Sequence, residues 1–245
     1  MMVRDHSKAP QGRKNQGGRE KKKIILFVEG RNTERSYFEL LKRTNCTVEP
    51  VTVKGNGIGS CVEFVESAAK KFDCMPQKKR EKFVQRWLVF DFDGHTDFET
   101  SIRMARRMGF HVAFSNMCVE YWFVLHFFEH DGKAIPQKGD SHSAAQIDMI
   151  NRAIELYNRT AQVKVTPYDG NGKMVEEDFF DLMMSISPET HQHRILDAYA
   201  RAKRMHVSKK EQGAEFRESV TTMYELLKEL GVVTEGKGGT LNLTK

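Results

Sequence analysis

Apolar positions along the chain fall into short runs that alternate between two periods. The segment 23-KIILFVEG-30 is apolar for five consecutive residues and stops at Glu29 and Gly30, the pattern of a strand buried on both faces. In 35-RSYFELLKR-43, Tyr37, Leu40 and Leu41 share one stripe widened by Phe38, which predicts a helix from about Asn32. The β-prone 47-TVEPVTVKG-55 contains Pro50, whose missing N–H suits an edge or broken strand. Ser60 and Glu63 make a capping box, and Cys61, Phe64, Val65, Ala68 and Phe72 follow at helical spacing. The stretch 87-WLVFDFDGHTD-97 reads as the next strand. Thr96 and Glu99 repeat the capping-box pattern before a helix carrying Phe98, Ile102 and Ala105. Then 110-FHVAFSN-116 reads as a strand and 119-VEYWFVLHFF-128 as a buried helix.

Strand and helix alternate throughout this part, so an α/β fold with a parallel sheet flanked by helices is expected. From about residue 131 the segments 144–158, 175–186, 190–206 and 215–230 all carry helical spacing, which predicts a helical C-terminal subdomain. The expected organisation is a disordered tail over 1–23, an α/β core over 24–130 and a helical part over 131–245.

Charge changes this picture only at the N-terminus. Residues 1–23 hold eight of the 39 Lys/Arg and two of the 33 Asp/Glu, which accounts for the whole net charge of +6 and leaves 31 of each sign. Two readings of this tail are open: an arm that releases counterions from a nucleic-acid backbone, or a solvated leader. A change in the slope of log affinity against log salt on deleting residues 1–22 distinguishes the first from the second. Cys46, Cys61, Cys74 and Cys118 are scattered without a C-x-x-C pair, so neither a thiolate zinc site nor a disulfide framework is expected. No apolar run approaches the roughly 20 residues of a membrane span, and no signal-peptide pattern opens the chain. No membrane association and a cytoplasmic location are therefore expected.

The chemistry gathers where strands end. Ligands of a parallel sheet collect beyond the carboxyl ends of its strands, where Glu29, Asp91 and Asp93 are all expected. Residues two apart on a strand share a face, so Asp91 and Asp93 can converge on one ion, joined by Glu29 if the two strands are neighbours. Such carboxylates suit Mg²⁺ or Mn²⁺. As an alternative, Asp91, Asp93 and Asp97 serve only to start the next helix. A haloacid dehalogenase-like phosphatase also begins with D-x-D, but here a whole strand-helix-strand precedes Asp91 and His95 follows the Gly. Its late acidic pair is also incomplete, since 139-GDSHSA-144 supplies Asp140 and then Ala144.

The strand-to-acid arrangement resembles the TOPRIM domain. More narrowly, 25-ILFVEGRNTERSYFELL-41, 55-GNGIGS-60, 91-DFDGH-95 and 114-FSNMCVEYWFVLHF-127 resemble the RloB-like family of prokaryotic defence-associated proteins, with a looser likeness through 218-ESVTTMYELL-227. The resemblance implies a TOPRIM-like sheet and a Mg²⁺- or Mn²⁺-dependent nuclease acting on DNA or RNA, including tRNA, in antiphage defence through abortive infection. It implies metal ligation by Glu29, Asp91 and Asp93, with Glu34 serving a second ion, and regulation by a companion ATPase; it leaves a homo-oligomer open. The alternative from another class is a non-catalytic nucleic-acid-binding or regulatory partner of such an ATPase.

Other residues carry two readings each. Glu120, an acid in an apolar helix, belongs to the catalytic site or makes a buried hydrogen bond with Ser115 or Asn116. Asn116 itself is a candidate cap for that helix. His95 contacts phosphate or shuttles a proton, or is a surface-loop histidine. His126 and His130 have zinc-pair spacing without a third ligand. Arg103, Arg106 and Arg107 form a basic rim or a solvated helix face, and Lys54 with the Gly-rich loop is a weak phosphate cradle.

Overall fold

The computed structural model describes residues 23–44, 46–53, 59–136, 138, 139, 141, 143–168, 172, 174–217 and 219–244. The basic tail, Lys54 with most of the Gly-rich loop, and Asp140 lie outside the described residues. In chain order the elements are β1 (Lys23–Val28), α1 (Thr33–Leu41), β2 (Val48–Thr52), α2 (Cys61–Asp73), α3 (Gln77–Arg80), β3 (Phe83–Asp91), α4 (Phe98–Arg107), β4 (His111–Asn116) and α5 (Glu120–Val124). They continue with α6 (Ala144–Thr160), α7 (Glu177–Met184), α8 (Arg194–Glu211), β5 (Val220–Thr221), α9 (Met223–Glu229), β6 (Val233–Glu235) and β7 (Leu241–Leu243).

The central sheet has the order β2-β1-β3-β4-β5. Its first four strands are parallel and β5 runs antiparallel beside β4. This is a TOPRIM-like α/β arrangement. Alternation along the strands divides the core into two faces. Ile24, Leu26, Val28, Trp87, Val89 and Ala113 pack with Tyr37 and Phe38 of α1, Trp122 and Phe123 of α5 and residues of α6 to α9. Ile25, Phe27, Leu88, Phe90, Val112 and Phe114 pack with Phe64 and Val65 of α2 and Phe98, Ile102 and Ala105 of α4. Both faces are therefore covered, which is why β1 reads as an unbroken apolar run. Strand β2, with Pro50, lies at the edge of the sheet.

At α2 the expected cap is made with its return bond shifted by one residue: Ser60 Oγ accepts the Glu63 N–H at 3.2 Å, and Glu63 Oε2 accepts the N–H of Gly59, just before the cap, at 2.8 Å. At α4 it is not. Asp97 is the N-cap and its side chain turns to the neighbouring helix, where Oδ2 accepts the Val62 N–H at 2.9 Å. Burial opposes ionisation of Asp97, but the N–H groups around it outweigh that and hold its carboxyl below the usual range. Asp97→Ala should therefore cost about 1 kcal/mol, the value of a capping contact, while Asp97→Asn should recover part of it. Urea midpoints of the metal-free variants check this; equal midpoints for wild type and Asp97→Ala would remove the contact from the stability of α2.

Three segments depart from the sequence expectation. The helix expected over 119–128 is only Glu120–Val124, continued by tight turns in which the His126 N–H bonds Phe123 O and the Phe127 N–H bonds Val124 O. The cause is local: His126 Nδ1 donates to Trp122 O at 3.0 Å, occupying the carbonyl that an α-helix would offer to the His126 N–H. Burial drives the His126 pKa down to about 3, so the ring is neutral, and among the described residues neither His126 nor His130 belongs to a trio of ligand atoms close enough to share a metal ion. The helix expected over 215–230 is divided, because Val220 and Thr221 pair with β4 before α9 begins. Thr222 Oγ1 accepts the Phe114 N–H and Thr221 Oγ1 shares a hydrogen bond with Ser115 Oγ, both at 2.9 Å. These tertiary bonds override the helical spacing. The β6–β7 hairpin follows, closed by 236-GKGG-239, a turn signal that helical periodicity masks.

Candidate metal centre

The strand order reverses direction between β1 and β3, and a parallel sheet opens a crevice at that point. Val28 is paired with Val89, and the Glu29 N–H donates to Val89 O at 3.4 Å, so Glu29 leaves β1 alongside the end of β3. Asp91 is the last residue of β3, paired with Ser115. Its Oδ2 accepts the Val119 N–H at 2.9 Å, which fixes the carboxylate against the start of α5.

Asp93 reaches the same place by a different route from the expected strand pleat. Strand β3 ends at Asp91, and the Asp93 N–H still donates to Met117 O at 3.2 Å, but its φ is +41° and that of Gly94 is +77°. A left-handed turn therefore presents Asp93, and it leaves this carboxylate exposed while Phe92 packs edge-on against Phe98 at 5.3 Å.

Two further acids come from helix starts. Glu34, in the first turn of α1, accepts the Gly30 N–H through Oε1 at 3.2 Å. A Cβ on Gly30 would lie 1.8 Å from Glu34 Oε2, so only glycine lets the carboxylate fold down onto the loop. Glu120, the first residue of α5, is 2 % exposed. Tyr168 Oη donates to its Oε1 at 3.3 Å. The partners expected for Glu120 are engaged elsewhere: Ser115 with Thr221, and Asn116, through Nδ2, with Phe216 O at 2.6 Å. Asn116 does not cap α5 either; Val119 holds that position.

Glu29, Glu34, Asp91, Asp93 and Glu120 thus line one cavity of about 320 Å³. His95 does not line it, and its ring lies instead beside Cys61 and Asp97. Arg103 is paired with Glu99, and Arg106 lies 3.9 Å from Glu215. Sequence reasoning missed Arg31, Asn32 and Gly172 in the lining, and Tyr168 behind it. Asn32 Nδ2 donates to Gly172 O at 2.7 Å, which joins the start of α1 to a residue of the C-terminal half that lines the same cavity. Arg31 lies within the quoted stretch 25–41 but carries no periodic signal of its own, and the only hint of Tyr168 was its place in the polar stretch 167-PYDGNGK-173.

The electrostatics follow from crowding. Burial, then Asp93, Glu34 and Asp97, push the Glu29 carboxyl up to about 7. Burial, then Glu120 and Asp93, push Glu34 up to about 7, against the opposing Gly30 hydrogen bond. Asp91 is raised well above the usual range by burial, Glu34, Asp93 and Glu120. Among the described residues no three of these acids bring an oxygen each within 4.8 Å of one another. An all-oxygen, net-negative donor set with room for water is what a hard divalent cation requires, so these residues fit Mg²⁺ or Mn²⁺.

The family model described as RloB-like protein matches residues 24–230, which takes in all five carboxylates and every element from β2 to α9. The chain belongs to the RloB-like family. No curated protein and no solved structure matches it. The RloB-like match ends within the segment after α9, so the β6–β7 hairpin lies beyond it. Among the described residues no helix is long and apolar enough to cross a membrane.

Proposed function

We propose that this RloB-like chain is a Mg²⁺- or Mn²⁺-dependent nuclease cutting phosphodiester bonds of DNA or RNA, tRNA included, in antiphage defence. The observation that carries the reading is the convergence of Glu29, Glu34, Asp91, Asp93 and Glu120 on one cavity at the carboxyl edge of the sheet. Structural acids have no reason to crowd there at the cost in burial and repulsion that raises three of their pKa values.

Asp91, Asp93 and Glu29 would hold the principal ion, with Glu34 toward a second, and such ions supply charge stabilisation to a phosphate and an activated water. The chain's own residues do the rest. The Val119 N–H orients Asp91, the Gly30 N–H orients Glu34, and Tyr168 orients Glu120. Where Asp91 and Asp93 alone hold the ion, Glu29 instead takes a proton from water or returns it to a leaving oxygen. Arg31 at the mouth is placed to meet a phosphate oxygen. A phosphatase of the haloacid dehalogenase type has no role for Glu29 and Glu34, which share the cavity. Control by a companion ATPase remains part of the proposal through family resemblance.

The test is incubation of end-labelled DNA and a total tRNA pool with the full chain, with Mg²⁺ or Mn²⁺ and with EDTA. Metal-dependent cutting is expected; saturable binding of the same nucleic acids without cutting, and unaffected by metal, would favour the non-catalytic binding module.

A pH dependence follows from the raised acids. A metal must displace the protons that Glu29 and Glu34 hold below about 7, so its affinity rises with pH through that range. Binding should tighten by about 10-fold per carboxyl between pH 6 and pH 8, with proton uptake by the buffer. Calorimetric titration of Mn²⁺ in two buffers of different ionisation heat reads both quantities, and a pH-independent affinity would contradict the assignment.

A further inference from the structure

A second group of ligand-type side chains lies outside the carboxylate cavity. Cys61, His95 and Asp97 each offer one ligand atom, and the sulfur, ring nitrogen and carboxylate oxygen all lie within 4.8 Å of one another. Among the described residues this is the one such trio of His, Cys, Asp or Glu. Its members come from two pieces of chain, Cys61 from the first turn of α2 and the other two from the turn between β3 and α4. Cys61 is buried, whereas His95 and Asp97 are half-buried and open the group toward solvent.

We propose that Cys61, His95 and Asp97 form a binding site for a thiophilic divalent cation of the Zn²⁺ class, separate from the carboxylate cavity. The donor types decide the metal class: a sulfur and an imidazole select Zn²⁺ over Mg²⁺, while the all-oxygen set next to it selects the reverse. Bond lengths of about 2.0–2.3 Å place tetrahedral donors roughly 3.4–3.7 Å apart, so a trio whose donors already lie within 4.8 Å of one another needs only a small closure around an ion. Binding forms a bond from the ion to the Cys61 thiolate, and the thiol proton leaves to solvent. Three protein ligands leave one position for water.

The Cys61 sulfur lies in the first turn of α2, and burial together with Asp97, Glu29, Asp93 and Asp91 holds its thiol protonated, so a bound ion must displace that proton. Asp97 is already oriented by the Val62 N–H at 2.9 Å. A bound ion would tie the start of α2 to the turn that displays Asp93, so the site also acts on the geometry of the carboxylate cavity. It does not depend on the nuclease reading.

The probe is Co²⁺, added to the full-length chain with Mg²⁺ in excess to occupy oxygen-only sites. A sulfur-to-cobalt charge-transfer band in the near ultraviolet is expected, saturating at one ion per chain. Cys61→Ser should abolish it and Cys118→Ser, which alters a buried thiol beside the carboxylate cavity, should leave it unchanged. Should Cys61→Ser fail to fold, His95→Ala at its half-buried turn position decides, with Co²⁺ affinity lowered by at least about 10-fold. No band in the wild type, a band that survives Cys61→Ser, a band lost only in Cys118→Ser, or wild-type affinity in His95→Ala would each overturn the site.

Discussion

Asp91→Asn is expected to lower metal-dependent cleavage by on the order of 10³-fold or more, while the metal-free variant unfolds at the same temperature as the wild type or higher. The two effects have opposite signs because the residue is placed for charge and not for stability. Its carboxyl is raised well above the usual range by burial and by Glu34, Asp93 and Glu120. An acid whose folded pKa is raised contributes stability that is complete below its unfolded pKa and is lost as pH rises through the folded value. Burial and these neighbours disfavour the charged form of Asp91 in the metal-free protein, and a neutral side chain at that position carries no such cost. Asparagine keeps an oxygen to accept the Val119 N–H, so the start of α5 stays in place. Cleavage rates and thermal unfolding of the metal-free pair read the two effects separately. A variant that loses activity and stability together would make Asp91 a structural acid.

Trp122→Ala is expected to destabilise the fold by about 3–5 kcal/mol, a large fraction of the roughly 5–15 kcal/mol that holds a domain together. Trp122 is fully buried on α5, and its Nε1 donates to Tyr37 Oη at 3.0 Å, tying α5 to α1. The His126 ring stands edge-on to it at 4.9 Å, and His126 Nδ1 uses its carbonyl. Alanine leaves a large cavity and removes the donor that the buried Tyr37 hydroxyl meets. The effect reaches function because Glu120 lies two residues before Trp122 and the Val119 N–H just ahead of it holds Asp91. Urea unfolding measures the stability, and Mn²⁺ titration of the fraction still folded should show weakened binding. A loss under about 1 kcal/mol would mean that α5 is not anchored by this residue.

The parallel core and its acidic edge were legible in the sequence because they rest on local patterns. The five-residue apolar run of β1 ends at Glu29, a run of four apolar residues precedes Asp91, and the Ser60–Glu63 cap stands where its spacing places it. Adjacency of β1 and β3, which brings Glu29 beside Asp91, is a matter of strand order that spacing along the chain does not fix. What periodicity could not foresee depends on long-range partners. Thr221 and Thr222 leave a helical pattern to bond β4, 106 and 108 residues away. Tyr168 reaches Glu120 across 48 residues, and Asn32 reaches Gly172 across 140. Asp97 does stand at the start of α4, as its acidic helix-start pattern suggested, but its side chain serves the neighbouring helix. The grouping of Cys61 with His95 is likewise invisible in spacing, since the two are 34 positions apart.

Silence in a cleavage assay can reflect a missing activating partner, whereas an ion site needs none. Binding of Mn²⁺ to the full-length chain at pH 8, followed by electron paramagnetic resonance beside Asp91→Asn, therefore tests the carboxylate centre most directly. Saturable binding of at least one ion per chain, weakened by about 10-fold or more in the variant, is the expected result. Absence of saturable binding, or equal affinity in both proteins, would contradict a metal centre built on Asp91.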